Sequence, residues 1–427
     1  MSVPAPTDSS TGWRGSSARR LAMAMMLTLF LAGCGIFGGD KDKELQPSEL
    51  LEFQPSLDIR RLWSAKVGAG TEFLRIGLSP AGDGNRIYAA SYDGNVVAFN
   101  PENGRRIWRT ETDAILSAGP GVAEGVVVVA GYDGDLIALK AEDGSELWRT
   151  NIVGESLSRP LVHENAVIVY TIDGRLRVFS IFDGSEQWSL DQSLPALTQR
   201  GASTPVVVGN SVIVGFDNGR LVASSLDDGT TQWEAILTPP SGRSDLDRLA
   251  DVDGSIAAVG QDVYASGYNG RIAALAAESG EVLWDREIST HVGVTADWNN
   301  IYAVGDEGEV IALLRRNGTD VWRQDGLLRR EPTAPVAFST AVVVGDFEGY
   351  IHFFSNFDGR PVARVRHGKG MISGAPVVMG NKLFVQSESG SVAAYAVRTP
   401  KRKDQPDENS EGAEESDETG ASADEAS

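Results

Sequence analysis

The chain has 427 residues, a formal net charge of −21 and 41% hydrophobic residues, with a single cysteine. An acidic balance of this size excludes nonspecific nucleic-acid binding, which needs a cationic face, and one cysteine excludes an internal disulfide. The length allows two or three domains unless internal repeats make it one, so repeats are sought first.

In chain order, the first element reads as an address. Arg14, Arg19 and Arg20 precede an apolar run from Leu21 to Leu31. The run is too short to span a bilayer, which takes about 20 residues, and it fits a secretory signal. It ends in Leu31-Ala32-Gly33-Cys34, which resembles the bacterial lipobox. Small residues suit a narrow peptidase cleft, and the thiol is the nucleophile for acylation. Residues 1–33 are therefore expected to be a lipoprotein signal peptide, with Cys34 as the lipidation site and membrane anchor. Gly35 rather than aspartate follows, a pattern that in lipoproteins implies the outer membrane of a Gram-negative cell, facing the periplasm. Arg19-Arg20 also opens a twin-arginine reading, ranked below the general secretory route. Residues 34–56, with Gly38-Gly39 and the alternating charges of Asp40-Lys41-Asp42-Lys43, read as a flexible tether.

From residue 57 the chain repeats. Asp93-Gly94 opens a run Val96-Val97-Ala98-Phe99, followed by Asn103-Gly104 and Trp108. The same order recurs as Gly134, Gly144 and Trp148, then Gly174, Gly184 and Trp188. It continues through Gly219, Gly229 and Trp233, through Gly270, Gly280 and Trp284, and through Gly308, Gly318 and Trp322. A seventh copy has Gly349 and Gly359 but Ala363 in place of the tryptophan, and an eighth begins at Gly390 and stops after Tyr395. Asp-Gly and Asn-Gly between apolar runs are hairpin signals, because glycine accepts positive φ. Further runs follow Ser158-Arg159-Pro160, Ser203-Thr204-Pro205 and Thr333-Ala334-Pro335, giving about four short strands per unit. Such a period belongs to four-stranded propeller blades.

The expected fold is all-β: an eight-bladed β-propeller over 57–398. Its last blade lacks an outer strand, and Asp58-Ile59-Arg60-Arg61-Leu62-Trp63-Ser64 supplies a tryptophan strand with no unit before it. Trp63 is thus expected to close the ring and remove its exposed edges. The tryptophans recur in phase with the blades, so they are assigned to packing between blades rather than to a ligand stack. Residues 399–427 are expected to be a disordered acidic tail: 404–427 holds ten acidic residues and no basic one.

The repeat of apolar strand, Asp-Gly turn and tryptophan resembles the tryptophan-docking unit of quinoprotein-like propellers. With the lipobox, the chain from Cys34 to about Val397 resembles the BamB family, lipoproteins of the outer-membrane β-barrel assembly machinery (BAM complex). Two stretches carry the resemblance further: Leu194-Pro195-Ala196-Leu197-Thr198-Gln199-Arg200-Gly201, ahead of the third strand run of the fourth unit, and Leu246-Asp247-Arg248-Leu249-Ala250-Asp251-Val252-Asp253, in the longest gap between repeats. Long insertions on a rigid scaffold are where function usually resides. The resemblance implies that the two loops lie together and bind the periplasmic domains of BamA, the membrane-embedded barrel catalyst. It places the contact on Leu197, Gln199, Arg200, Asp251 and Asp253, although the family tends to have leucine where Gln199 stands. An arginine among apolar residues suits an interface anchor, and the two aspartates could instead hold Arg200 by a salt bridge. Unfolded outer-membrane proteins, met at loops or strand edges, are a further expected partner.

The rival readings are a quinone-dependent dehydrogenase-like enzyme and a periplasmic glycan-binding propeller. The enzyme class resembled here holds its quinone with a vicinal disulfide and calcium. One cysteine excludes the disulfide, and Leu249 stands where an acidic calcium ligand would be expected two residues before Asp251. His163, His291, His352 and His367 show no metal-ligand spacing. There is no Gly-x-Ser-x-Gly elbow, and Gly368-Lys369-Gly370 lacks the rest of a phosphate loop. The sequence therefore predicts a non-catalytic protein with no cofactor and no metal.

Overall fold

The computed structural model describes residues 46–398, apart from 72, 73, 75, 196, 199, 200, 202, 240–242 and 245–248. The expected signal peptide, the expected lipidation site Cys34 and the acidic tail lie outside the described residues. Within them every regular element is a strand, and the strands form eight four-stranded antiparallel sheets. The short first strands of neighbouring blades, such as Gly121–Ala123 and Leu161–His163, adjoin one another around the ring. Strands then follow outward in chain order within each blade.

This meander gives the ring two faces. One carries the leading glycine turns (Gly94, Gly134 and their equivalents) and the links between blades. The other carries the turns that end in Gly104, Gly144 and their equivalents. The second and third strands of each blade are the core. Val126–Ala130 is buried throughout, and so is Ala341–Gly345. Their unbroken β-branched runs are what a strand covered on both faces requires.

The tryptophans join the blades. Trp108 in the outer strand of blade one donates its Nε1–H to the Ala141 carbonyl of blade two at 2.9 Å. Trp148, Trp188, Trp233, Trp284 and Trp322 make the same bond to Ile181, Leu226, Ala277, Arg315 and Asn356, each in the next blade. Each indole lies on the glycine of that next turn. At Gly280, whose φ is +71°, an added Cβ would sit 2.5 Å from Trp233 Cε3. The turn therefore needs glycine twice, for its backbone and for the ring above it.

A β-bulge aims each indole. In blade one Ala98 pairs with Trp108, and Phe99 pairs with Arg106, so Ile107 is skipped. The extra residue turns the strand and is left pointing outward. That explains the exposed Ile107, Leu147, Leu283 and Val321, each immediately before a tryptophan.

The ring closes as the sequence predicts. Ile59–Lys66 pairs with Ser391–Val397 as the outer strand of blade eight, and Trp63 Nε1 donates to the Pro101 carbonyl of blade one at 2.9 Å. The same closure accounts for Ala363. A tryptophan there would need the turn between the third and outer strands of blade eight. No such turn exists, because those strands come from opposite ends of the chain. Leu57 and Ile59 pack against the core cluster that contains Ala363, and the Ser56 and Leu57 amides donate to the Val362 carbonyl.

The expected tether departs from the reading at its C-terminal end. From Ser48 onward it lies along blades six and seven. The Ser48 amide donates to Leu328 O at 3.0 Å, and Arg330 Nη1 donates to Ser48 O at 3.1 Å. Leu50 packs on the blade six core, Arg364 donates to Leu51 O, and its guanidinium covers Phe53. Arg330 is itself buried against Asp346, with Glu348 as a second partner.

Candidate functional site

The two departures from the repeat meet on the leading-turn face. The stretch 194–201 precedes Val206–Val208, the first strand of blade four, so it links blades three and four rather than entering the blade at its third strand. The stretch 249–256 leads into blade five. They touch directly: a Cβ on Gly201 would lie 2.5 Å from the Asp253 carboxylate. Val252 anchors the second loop in the core shared by blades four and five, beside Ile213 and Ile256.

The sequence-predicted residues fall into three groups. Leu197 is 45% exposed on the loop. Asp251 and Asp253 are buried, at 0% and 8%. Gln199 and Arg200 lie outside the described residues, as does any contact between Arg200 and the aspartates. Leu194 is also exposed, and its side chain covers Gly174, the leading turn of blade three.

A third carboxylate, Asp217, completes the buried cluster and was not singled out from sequence. Tyr170 of blade three donates its hydroxyl to Asp217 Oδ1 at 3.1 Å. Burial, then the neighbouring Asp217 and Asp251 charges, push the Asp253 carboxyl up to about 9. Burial and Asp251 push Asp217 up to about 7. Carboxylates crowded out of water cannot all be ionised, so Asp253 keeps its proton at neutral pH and shares it with Asp217. This ties blades three, four and five beneath the exposed leucines. The sequence carried no distinguishing signal for it: the turn position of Asp217 is held by Tyr92, Tyr132 and Tyr268 in three other units but is also acidic in two, at Asp306 and Glu388.

An exposed apolar arc continues from this point along the same face. Ile115, Tyr132, Val153, Ile172, Leu194 and Leu197 are each between 38% and 69% exposed. They are linked through the backbone. The Tyr132 amide donates to Ile115 O, the Ile172 amide to Glu155 O, and Gly134 lies under Val153. Val153 is held at φ +48°, a strained place for a β-branched residue, and it is the most exposed of the six. Exposed apolar residues gathered on one rim of a rigid scaffold are the kind of surface that interaction sites use. Among the described residues, no group of three or more His, Cys, Asp or Glu is placed to hold a metal.

Comparison with known proteins agrees with the fold. The family model described as outer membrane protein assembly factor BamB matches residues 56–115, 92–324 and 307–424. The outer membrane protein assembly factor BamB of Pseudomonas aeruginosa is 44% identical over 375 residues, covering 88% of this chain and 98% of that protein. That of Escherichia coli is 34% identical over 388 residues, covering 88% and 98%. The crystal structure of BamB from Moraxella catarrhalis superposes with a TM-score of 0.73 at 26% identity, covering 79% of this chain and all of that one. Quinohemoprotein alcohol dehydrogenase from Comamonas testosteroni superposes at 0.63 with 13% identity, covering 83% of this chain and 80% of that one, a likeness of fold alone.

Proposed function

The chain belongs to the family of outer membrane protein assembly factor BamB, and on that footing we propose a non-catalytic scaffold that assists the insertion of β-barrel proteins into the outer membrane. It acts from the periplasmic side, anchored by lipid on Cys34. Its partner is the set of periplasmic domains of BamA, engaged by the leading-turn face of blades two to five. The observation that carries the reading is the continuity of the exposed apolar arc with the loops at 194–201 and 249–256. Leu194, Leu197 and Arg200 make the contact. Asp251 and Asp253 act from below, because neither has the exposure to touch a partner; they fix the loops that present the leucines.

The experiment is co-purification from detergent-solubilised membranes. Arg200→Glu and Leu197→Asp are each expected to remove BamA from the purified complex, while circular dichroism and thermal midpoint stay at wild-type values. Retention of BamA by the doubly substituted, folded protein would overturn the assignment.

A further inference from the structure

The opposite face of the ring carries a built feature that the reading above does not use. A cleft of about 570 Å³ opens between blades two and three. Its floor is Val126 and Ile181, both buried, and its walls are Leu147 and Phe182. Leu147 is 40% exposed and Phe182 is 75% exposed. Glu124 and Glu164 stand at its rim, and no residue lining it is basic.

Both walls are set by the repeat, yet one departs from it. Leu147 is the bulge residue before Trp148 and points outward by construction. Phe182 sits in the turn that receives Trp148, two residues before Gly184. Glu102, Glu142, Asp227, Glu278 and Arg316 occupy that place in five other blades, and Phe357 occupies it in blade seven. In five blades this solvated turn position is charged; in blades three and seven it is a phenyl ring left in water, and only at Phe182 does it wall this cleft, between Leu147 and the acidic rim. The docking of Trp148 does not use the ring: the indole bonds to the Ile181 carbonyl, and Phe182 stays 75% exposed.

We propose that this cleft binds an extended segment of another protein carrying an apolar or aromatic side chain next to lysine or arginine. The apolar side chain fills the space between Leu147 and Phe182, and the flanking cation pairs with Glu124 and Glu164. The charge of the rim selects against acidic segments, and the chain's own net charge of −21 strengthens that selection. The site lies on the face opposite the arc, so both can be occupied together.

The test uses the mature full-length protein and a fluorescein-labelled peptide, Gly-Lys-Phe-Leu-Lys-Gly, read by anisotropy at 50 and 300 mM salt. A second peptide carries glutamate in place of both lysines. Saturable binding of the lysine peptide, at least tenfold tighter than the glutamate peptide and weakened by salt, is expected. Phe182→Glu restores the residue type that Glu142 has in the preceding blade, so the fold should be unchanged; binding should fall at least tenfold. The double substitution Glu124→Gln and Glu164→Gln should remove most of the salt dependence. Equal binding by the two peptides, or binding indifferent to Phe182→Glu, would overturn the proposal. So would concentration-dependent self-association that Phe182→Glu abolishes, because a second copy of the chain would then be the occupant.

Discussion

The contact between Trp233 and Gly280 allows the joint between blades to be tested as a coupling. Gly280→Ala adds a Cβ at φ +71°, 2.5 Å from the indole Cε3 and 2.6 Å from Cδ2. The backbone term alone is about 1–2 kcal/mol for an L-residue in the left-handed region. The steric term adds about 1–3 kcal/mol, because Trp233 is 9% exposed and its Nε1 is held on Ala277 at 2.8 Å, so the ring cannot retreat without losing that bond. Trp233→Ala should itself cost about 3–5 kcal/mol. Once the indole is gone, Gly280→Ala should cost only the backbone term. The double-mutant cycle is therefore expected to show a coupling of about 1–3 kcal/mol, with the double variant more stable than the sum of the two losses. Urea unfolding followed by far-ultraviolet circular dichroism reads all four proteins without relying on tryptophan emission. Additivity within about 0.5 kcal/mol would refute the claim that the glycine is required by the ring.

The buried carboxylates predict an alkaline loss of stability. Asp253 keeps its proton when folded and releases it when unfolded, so the folded state binds more protons and weakens as pH rises. Buried His367, pushed down to about 4, and His352, pushed down by burial, act in the opposite sense only below about 6.5. Between pH 7 and 9 the wild type should therefore lose roughly 1–3 kcal/mol from this site, and Asp253→Asn should flatten that slope; parallel pH profiles from urea unfolding would reject the reading. Arg330→Met removes the hydrogen bond to Ser48 O and strips Asp346 and Glu348 of a buried partner. It should lower stability by about 3–5 kcal/mol, and cleavage by a glutamate-specific protease at Glu49 and Glu52 should become faster; unchanged protection would mean that this arginine does not hold the N-terminal segment.

The sequence made the ring legible because its two determinants are local and recur. Each glycine answers a stereochemical demand, and each tryptophan stands a fixed distance beyond it. Closure through Trp63 followed from a strand without a unit before it. The packed segment at 48–57 was hidden for a physical reason. Ser48, Leu51, Ser56 and Leu57 are held through backbone groups, which leave no signature in side-chain chemistry, and the side chains that pack, Leu50, Phe53 and Leu57, are too few to mark an element. Asp251 and Asp253 read as partner contacts, or as a salt bridge to Arg200, because burial of a carboxylate depends on which strands come together. Gly201 and Tyr170, which enclose that cluster with Asp217, arrive from other parts of the chain.

What the repeat leaves unexplained is divided between the two faces, and the division follows from the geometry of a blade. Residues in the leading turns and inter-blade links are free of the docking tryptophans, so long insertions can accumulate there, as at 191–205 and 237–256. The opposite face is bound by the docking turns, each fixed by an indole and a glycine. Variation there is limited to the few turn positions that face water. Phe182 and Phe357 use one such position, at 75% and 85% exposure, and Trp298 stands exposed in another turn of the same face. A departure on the first face can build a broad surface out of loops. A departure on the second can only place a side chain beside the bulge of the preceding blade. The first suits a large folded partner, and the second suits a short extended segment, so the two surfaces are expected to serve different classes of partner.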